Sequence, residues 1–216
     1  FCKYDLQSAI SSEEFLLALS NEAKKRNVVV KTHLLVDTGM HRDGIDANYA
    51  VEFMRQYGKL PNIYMHGICT HFAKSPTNID YAKKQLKLFN QTLAQLKEAG
   101  FEFKYIHASN SGAIANLPDA YFNLVRPGLA LYGYAPSAEV REKLKVKPIM
   151  TLKSQVVVTR RIQAGESVSY DRLFVAKRPT TIATVPIGYG DGYFKTLTGR
   201  AQCLINGKRY PVVGSI

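Results

Sequence analysis

The chain has no tryptophan and only three cysteines among its 216 residues. Cys2, Cys69 and Cys203 are scattered and odd in number, and none pairs with another at zinc-ligand spacing. This argues against a disulfide framework and against a metal site, and it predicts reduced thiols in a reducing, cytoplasmic compartment. No uninterrupted apolar run approaches the ~18 residues that a membrane helix needs, so no membrane segment is expected. The opening residues, Phe1-Cys2-Lys3-Tyr4-Asp5, include no methionine and no basic, apolar and small-residue succession of a signal peptide. The closing run Pro211–Ile216 breaks off inside what reads as a strand, so the expectation is an internal piece of a longer chain. No GxGxxG follows a strand, which weakens a dinucleotide-binding reading.

The chain is strongly basic: 29 Lys and Arg against 17 Asp and Glu, a formal charge of +12. Such an excess raises the question of nucleic acid. However, the cations are spread along the chain, clustering only briefly as in Lys24-Lys25-Arg26, without aromatic residues interleaved among them. Solvated surface, with no nucleic-acid partner, is the reading.

The first two-thirds alternate between helical and strand patterns. Residues 11–24 open with serines followed by two glutamates and carry Phe15, Leu16 and Leu19 at helical spacing. Residues 28–36 are aliphatic and β-branched and read as a buried strand; residues 46–57 return to helix and 64–72 to strand. Residues 78–99 form the clearest helix, with a stripe of Tyr81, Leu86, Phe89, Leu93 and Leu96 stopped by Gly100. Residues 103–108 and 124–132 read as further strands, with a short helix near 112–116 between them. Alternating strands and helices imply parallel pairing, as in a (β/α)8 barrel or a doubly wound sheet. After residue 138 the texture changes: Pro136, the charged stretch 139–147 and Pro148 read as a linker. Short β-rich runs over 150–162, 167–176, 180–187 and 201–205 follow, with an Asn206-Gly207 hairpin turn. The expected fold class is α/β, a partial barrel over 1–138 followed by an antiparallel β domain over 139–216.

Each expected barrel strand ends in polar, reactive residues: Asp37-Thr38-Gly39 with His41-Arg42, Thr70-His71, His107-Ala108-Ser109-Asn110-Ser111, and Arg126-Pro127-Gly128. In a parallel barrel these ends share the face that carries active sites. Alone, each has a bland reading: a strand-end histidine is more often structural, Arg126 fits an ion pair, and Asn110-Ser111 fits a helix cap. The cap geometry also presents free N–H groups to an anion, and Gly128 leaves room for close backbone approach.

These residues carry a family resemblance. VDTGMHRDGI (36–45), GICTHF (67–72), HASNSGA (107–113), VRPGLALYG (125–133), GESVSYDR (165–172), PIGYGDGY (186–193) and PVVGSI (211–216) resemble, in order and spacing, the signature of alanine racemases. The resemblance implies a TIM barrel holding pyridoxal 5'-phosphate (PLP), joined to a β domain, in a head-to-tail homodimer with shared active sites. The implied activity is interconversion of L- and D-alanine, supplying D-alanine for peptidoglycan. It uses two bases, the PLP lysine and a tyrosine from the other subunit, matched here by Tyr170. His71 and Arg126 are implied as polarising partners, because a tyrosine with a reference pKa near 10 needs positive neighbours. Arg126 is implied to face the pyridine nitrogen; Ser111 and Gly128, with Asn110 and His107 beside them, form the phosphate cradle. Arg42 is implied to position the substrate carboxylate and Tyr189 to line the substrate entrance. Two departures stand out. The PLP lysine is expected upstream of Phe1, which would leave this chain without one base and inactive alone. Leu35 occupies a position where many members carry a carbamylated lysine that holds the arginine matched by Arg42. Alternative readings are a serine racemase of the vancomycin-resistance type and a PLP-binding protein without turnover.

Overall fold

The computed structural model describes residues 1–216, which divide into two compact units, Phe1–Met150 and Thr151–Ile216. In the first, β1 (Ser8–Ile10) is followed by α1 (Glu13–Lys25), β2 (Val30–Asp37), β3 (Ile45–Asp46), α2 (Ala50–Tyr57), β4 (Ile63–Cys69), α3 (Ile79–Glu98) and β5 (Tyr105–His107). The sheet runs in the order β1-β2-β4-β5, every pair parallel, with β3 attached to the end of β2. Parallel neighbours need a crossover, and α1, α2 and α3 supply one each.

Local chemistry sets these helices. Ser12 Oγ caps α1 by accepting from Phe15 N at 3.2 Å, with Glu13 and Glu14 in the first turn and Lys24 and Lys25 in the last, complementing the helix dipole at both ends. Asn78 caps α3 the same way, accepting from Tyr81 N at 3.0 Å. Their apolar stripes meet one face of the sheet. Val30, Leu34 and Val36 of β2 pack with Leu16, Phe53, Phe89 and Ile68 in one core cluster. The alternate positions of β2, His33 and Leu35, lie on the opposite face, as the two-residue strand period requires.

After β5 come three short helices, α4 (Ser111–Asn116), α5 (Gly128–Leu131) and α6 (Ala138–Lys143). Here two expectations fail. Residues 124–132 are not a strand: Leu124 makes one isolated parallel bridge to His107, and the chain then turns into α5. Pro127 has no N–H for a ladder, so an aliphatic run interrupted by Pro127-Gly128 cannot continue as a central strand. The stretch taken as a linker contains α6, whose cap Ser137 Oγ accepts from Val140 N at 3.3 Å. The strands β1 and β3, three and two residues long, were not anticipated.

The second unit is antiparallel throughout. β6 (Val158–Ile162) pairs with β9 (Thr180–Thr184), β7 (Ser167–Val168) with β8 (Phe174–Val175), and β10 (Gln202–Ile205) with β11 (Lys208–Pro211). The expected strand over 150–162 is limited to its last five residues. The Asn206-Gly207 turn forms as expected, with φ of 49° and 77° at its two positions, the pair of positive angles that a two-residue hairpin requires. The α/β class, with a parallel sheet followed by antiparallel β structure, holds.

Candidate functional site

The C-terminal ends of β4 and β5 and the segment after Leu124 deliver a guanidinium into a half-buried setting. Arg126 donates through Nη2 to the Thr70 carbonyl at 2.7 Å and the Ala108 carbonyl at 3.2 Å, with His71 Nδ1 at 3.4 Å, and through Nη1 to His107 Nδ1. Its own backbone N–H is held by Ser109 O at 2.8 Å. No carboxylate is among its partners. Nε–H and the second Nη1–H have no protein acceptor. A half-buried cation held by carbonyls and imidazoles, and not neutralised by an acid, suits a neutral or electron-rich ligand atom better than a structural ion pair does.

The histidines around it are neutral at physiological pH. His107 is pushed down to about 3, first by burial, then by the charge of Arg126 and by His33. His71 is lowered by burial first, then by Arg126 and Arg42. The positive charge at this end of the sheet therefore belongs to the two arginines, and His71 acts there as a neutral imidazole. Cys69 lies nearby and is inert, since burial raises its thiol to about 11.

Ser111 and Gly128 sit where two helical turns begin. Ser111 Oγ donates to Pro127 O at 2.7 Å and accepts from Ala130 N at 3.1 Å, stapling the start of α4 to the start of α5. The first-turn N–H groups of Ser111, Gly112, Gly128 and Leu129 have no protein acceptor, the usual state of a helix start. Asn110 is committed elsewhere: Oδ1 caps α4 on Ala113 N at 3.1 Å and takes Ser75 Oγ at 2.6 Å, while Nδ2 donates to Phe72 O at 3.2 Å. Its side chain braces the cradle, and the second Nδ2–H has no protein acceptor.

Arg42 stands on the loop after β2, exposed, with Asp43 Oδ1 at 3.4 Å as its one ion-pair partner. Leu35, buried in β2, offers it nothing polar. The loop itself is firm: the Asp37 carboxylate accepts from the backbone N–H groups of Gly39, Met40 and His41 at 2.9–3.1 Å.

In the second unit Tyr170 is 71% exposed on the loop joining β7 and β8. Ser169, Asp171 and Arg172 have φ of 66°, 60° and 50°, a run of left-handed residues that side chains rarely adopt. Ser169 Oγ donates to Ser215 O at 3.0 Å, and a Cβ on Gly214 would come within 2.6 Å of Ser169 Cβ, so only glycine lets the two segments meet. Tyr189 begins a 3-10 turn (Tyr189–Asp191) closed by Gly188 N–H donating to Asp191 Oδ2 at 2.9 Å, with Lys195 Nζ 5.7 Å over its ring.

Beyond the expected residues, the geometry brings in Thr70 and Ala108 through their carbonyls, and Gln7, His33 and His66 through a line of hydrogen bonds ending at His107.

Parallel strands that converge on an uncompensated arginine, beside two helix starts with free N–H groups, define an α/β domain with an anion-accepting end. Comparison with known proteins agrees. Residues 1–136 match the model of the alanine racemase N-terminal domain, and residues 149–216 that of the C-terminal domain. The chain belongs to the alanine racemase family, whose members depend on PLP. It is 40% identical to the alanine racemase of Treponema denticola over 99% of this chain and 57% of that protein. It is 42% identical to that of Clostridium novyi over 99% of this chain and 56% of that protein. The solved alanine racemase of Clostridium difficile 630 superposes with a TM-score of 0.89 at 33% identity, covering 97% of this chain and 56% of that one. The chain thus spans somewhat over half the length of the relatives it matches. The residues present fit PLP: the amides of the two helix starts suit its phosphate and the unpaired donors of Arg126 its ring nitrogen.

Proposed function

We propose that this chain supplies the later barrel and the first part of the β domain of an enzyme that interconverts L- and D-alanine with PLP. The observation that carries the reading is Arg126, a half-buried guanidinium with two unclaimed N–H donors and no acid beside it. Bound PLP supplies an electron sink that acidifies the α-proton of an attached amino acid. Arg126 would face the ring nitrogen and, unable to surrender its proton, would moderate that sink and disfavour competing chemistry such as transamination. The helix-start amides of Ser111, Gly112, Gly128 and Leu129 hold the phosphate. Arg42 orients the substrate carboxylate, and Tyr189 lines the entrance.

Racemisation removes a proton from one face of the α-carbon and returns one on the other, so it needs two bases. Tyr170 serves one face, its Oη giving up and taking back the proton; the PLP lysine serves the other. In a shared site the tyrosine comes from the other subunit, with His71, a neutral imidazole, and Arg126 as its polarising partners. A head-to-tail homodimer sharing its sites, a cytoplasmic location and supply of D-alanine to peptidoglycan complete the proposal.

The test is chirally resolved product analysis of the full-length, PLP-loaded protein offered L-alanine and L-serine separately. D-alanine as the dominant product is expected. Dominant D-serine would move the assignment to a serine-preferring racemase, and no D-product would overturn turnover in favour of PLP binding alone.

A further inference from the structure

On the face of the sheet away from the core, four side chains link end to end behind Arg126. His107 Nε2 lies 2.8 Å from His33 Nδ1, His33 Nε2 lies 2.8 Å from Gln7 Oε1, and the same oxygen lies 3.0 Å from His66 Nδ1. The residues come from β2, β4, β5 and the position directly before β1, so the line spans the whole parallel sheet. Tyr105 closes it in, stacked on His33 at 7° between planes and edge-on to His66 at a centroid distance of 4.8 Å. Room for His33 is built in: a Cβ on Gly67 would clash with its imidazole.

Chemistry fixes every proton in this line. A guanidinium only donates, so His107 Nδ1, facing Arg126 Nη1, must carry a lone pair. Neutral His107 then bears its proton on Nε2 and donates to His33 Nδ1. His33 in turn bears its proton on Nε2 and donates to Gln7 Oε1. The amide cannot be turned round: presenting its NH2 to His33 would force His107 to accept on both nitrogens, which only an imidazolate does. Gln7 Oε1 therefore also receives His66 Nδ1–H. Burial lowers the pKa of all three imidazoles; Arg126 adds to this at His107 and His33, and Lys104 and Lys31 add to it at His66. The line ends on an amide oxygen that accepts without passing a proton on, so it is a brace and not a proton wire.

We propose that Gln7, His33 and His66 are positioning residues for Arg126, locking His107 in the Nε2–H form so that its Nδ1 holds the guanidinium and leaves Nε–H and the second Nη1–H free for the cofactor ring. The inference rests on the reading of Arg126 as the partner of the ring nitrogen. It goes beyond that reading by placing the determinant of Arg126's orientation on the far side of the sheet, at Gln7.

The experiment is long-range proton–nitrogen NMR of the full-length PLP-loaded protein labelled with 15N-histidine. The expected spectrum shows His107 and His33 protonated on Nε2 alone, and His66 on Nδ1 alone, at neutral pH. Replacing Gln7→Leu should let His33 populate both tautomers and lower kcat for alanine about tenfold, roughly 1.4 kcal/mol in the barrier, with KM little changed. Gln7→Glu, which keeps an acceptor, should restore the tautomers and most of kcat. His107 protonated on Nδ1, or doubly protonated, would overturn the proposal, as would a Gln7→Leu protein with unchanged tautomers and kcat. If Gln7→Leu fails to fold, the parent and Gln7→Glu spectra still decide it. If the parent makes no D-alanine, the racemase reading fails while the tautomers are still read independently.

Discussion

In Phe1–Met150 the rings of Phe53, Phe72 and Phe89 are 0–2% exposed, whereas in Thr151–Ile216 Phe194 stands 75% exposed and Leu204 64%, and Ala176 is the only buried apolar residue. The difference lies in layers, not in composition. The first unit brings both halves of a core, a parallel sheet and the helices of its own crossovers, so each apolar stripe meets another. The second is made of three separate strand pairs, and a two-stranded pair has no second layer to bury its apolar side. Its ordered features are turns and loops, and the sharpest of these carries Tyr170. One unit thus spends its sequence on packing and on an arginine site, the other on presenting side chains.

The strongest way to break this contrast is to remove the hydroxyl that the second unit presents. In the full-length PLP-loaded protein, Tyr170→Phe should slow racemisation by about 10²–10⁴-fold, the usual range for loss of a positioned acid–base group. Exchange of the α-proton with deuterated water should survive for one alanine enantiomer and be lost for the other, while PLP absorbance persists. Parent-like exchange from both enantiomers would remove Tyr170 from the chemistry and leave the second unit without a catalytic side chain.

Much of the first unit was legible because its signals are local. Ser12 and Asn78 announce the starts of α1 and α3, and Leu34-Leu35-Val36 supply the aliphatic run of a buried parallel strand in β2. Residues 124–132 misled because their composition is strand-like while Pro127 alone decides against a ladder. Arg126, His71, Ser111 and Gly128 were singled out through ordered motifs, without which strand-end polarity would not have named a chemistry. The line from Gln7 to His107 was invisible, because it depends on the register of three strands, including a slip between Thr32 and His33 opposite β4. No local pattern specifies such a register. In the second unit the Asn206-Gly207 turn was plain, but nothing local marked residues 151–157 as lying outside a strand.

Packing offers the next test. Phe89→Ala in α3 empties a fully buried ring position and should cost about 3–5 kcal/mol, read as a lower midpoint in urea unfolding at constant slope. A cost below about 1 kcal/mol would mean that the core relaxes around the gap and that the first unit is not the rigid partner in the comparison.

The third test is electrostatic. Folded His107 titrates at about 3 against an ordinary 6.5, so between those values the unfolded chain binds the proton that the folded chain refuses. Its contribution to stability is fully present above about pH 6.5 and is lost as pH falls towards about 3, amounting to about 2–3 kcal/mol by pH ~4.5. His33, His66 and His71 are lowered as well and add a loss of the same sign. The difference between the parent and His107→Gln isolates the single group: the variant should lose less stability over the same interval. Parallel curves would mean that His107 is protonated in the folded protein, against its contact with Arg126.

The smallest expected effect falls in the second unit and bears most directly on what the contrast means. Phe194 lies between two 3-10 turns with most of its ring uncovered, so Phe194→Ala should change stability by no more than about 0.5 kcal/mol, the range of ordinary surface substitutions. Urea unfolding of the full-length protein measures it against Phe89→Ala on one scale. A cost near that of Phe89→Ala would show that the ring is covered in the assembled protein. The exposed apolar residues of Thr151–Ile216 would then be one face of a core whose other layer lies outside these residues. A negligible cost would make the exposure intrinsic, and the second unit would hold its loops by turn geometry and hydrogen bonds such as Ser169 to Ser215 without a core of its own.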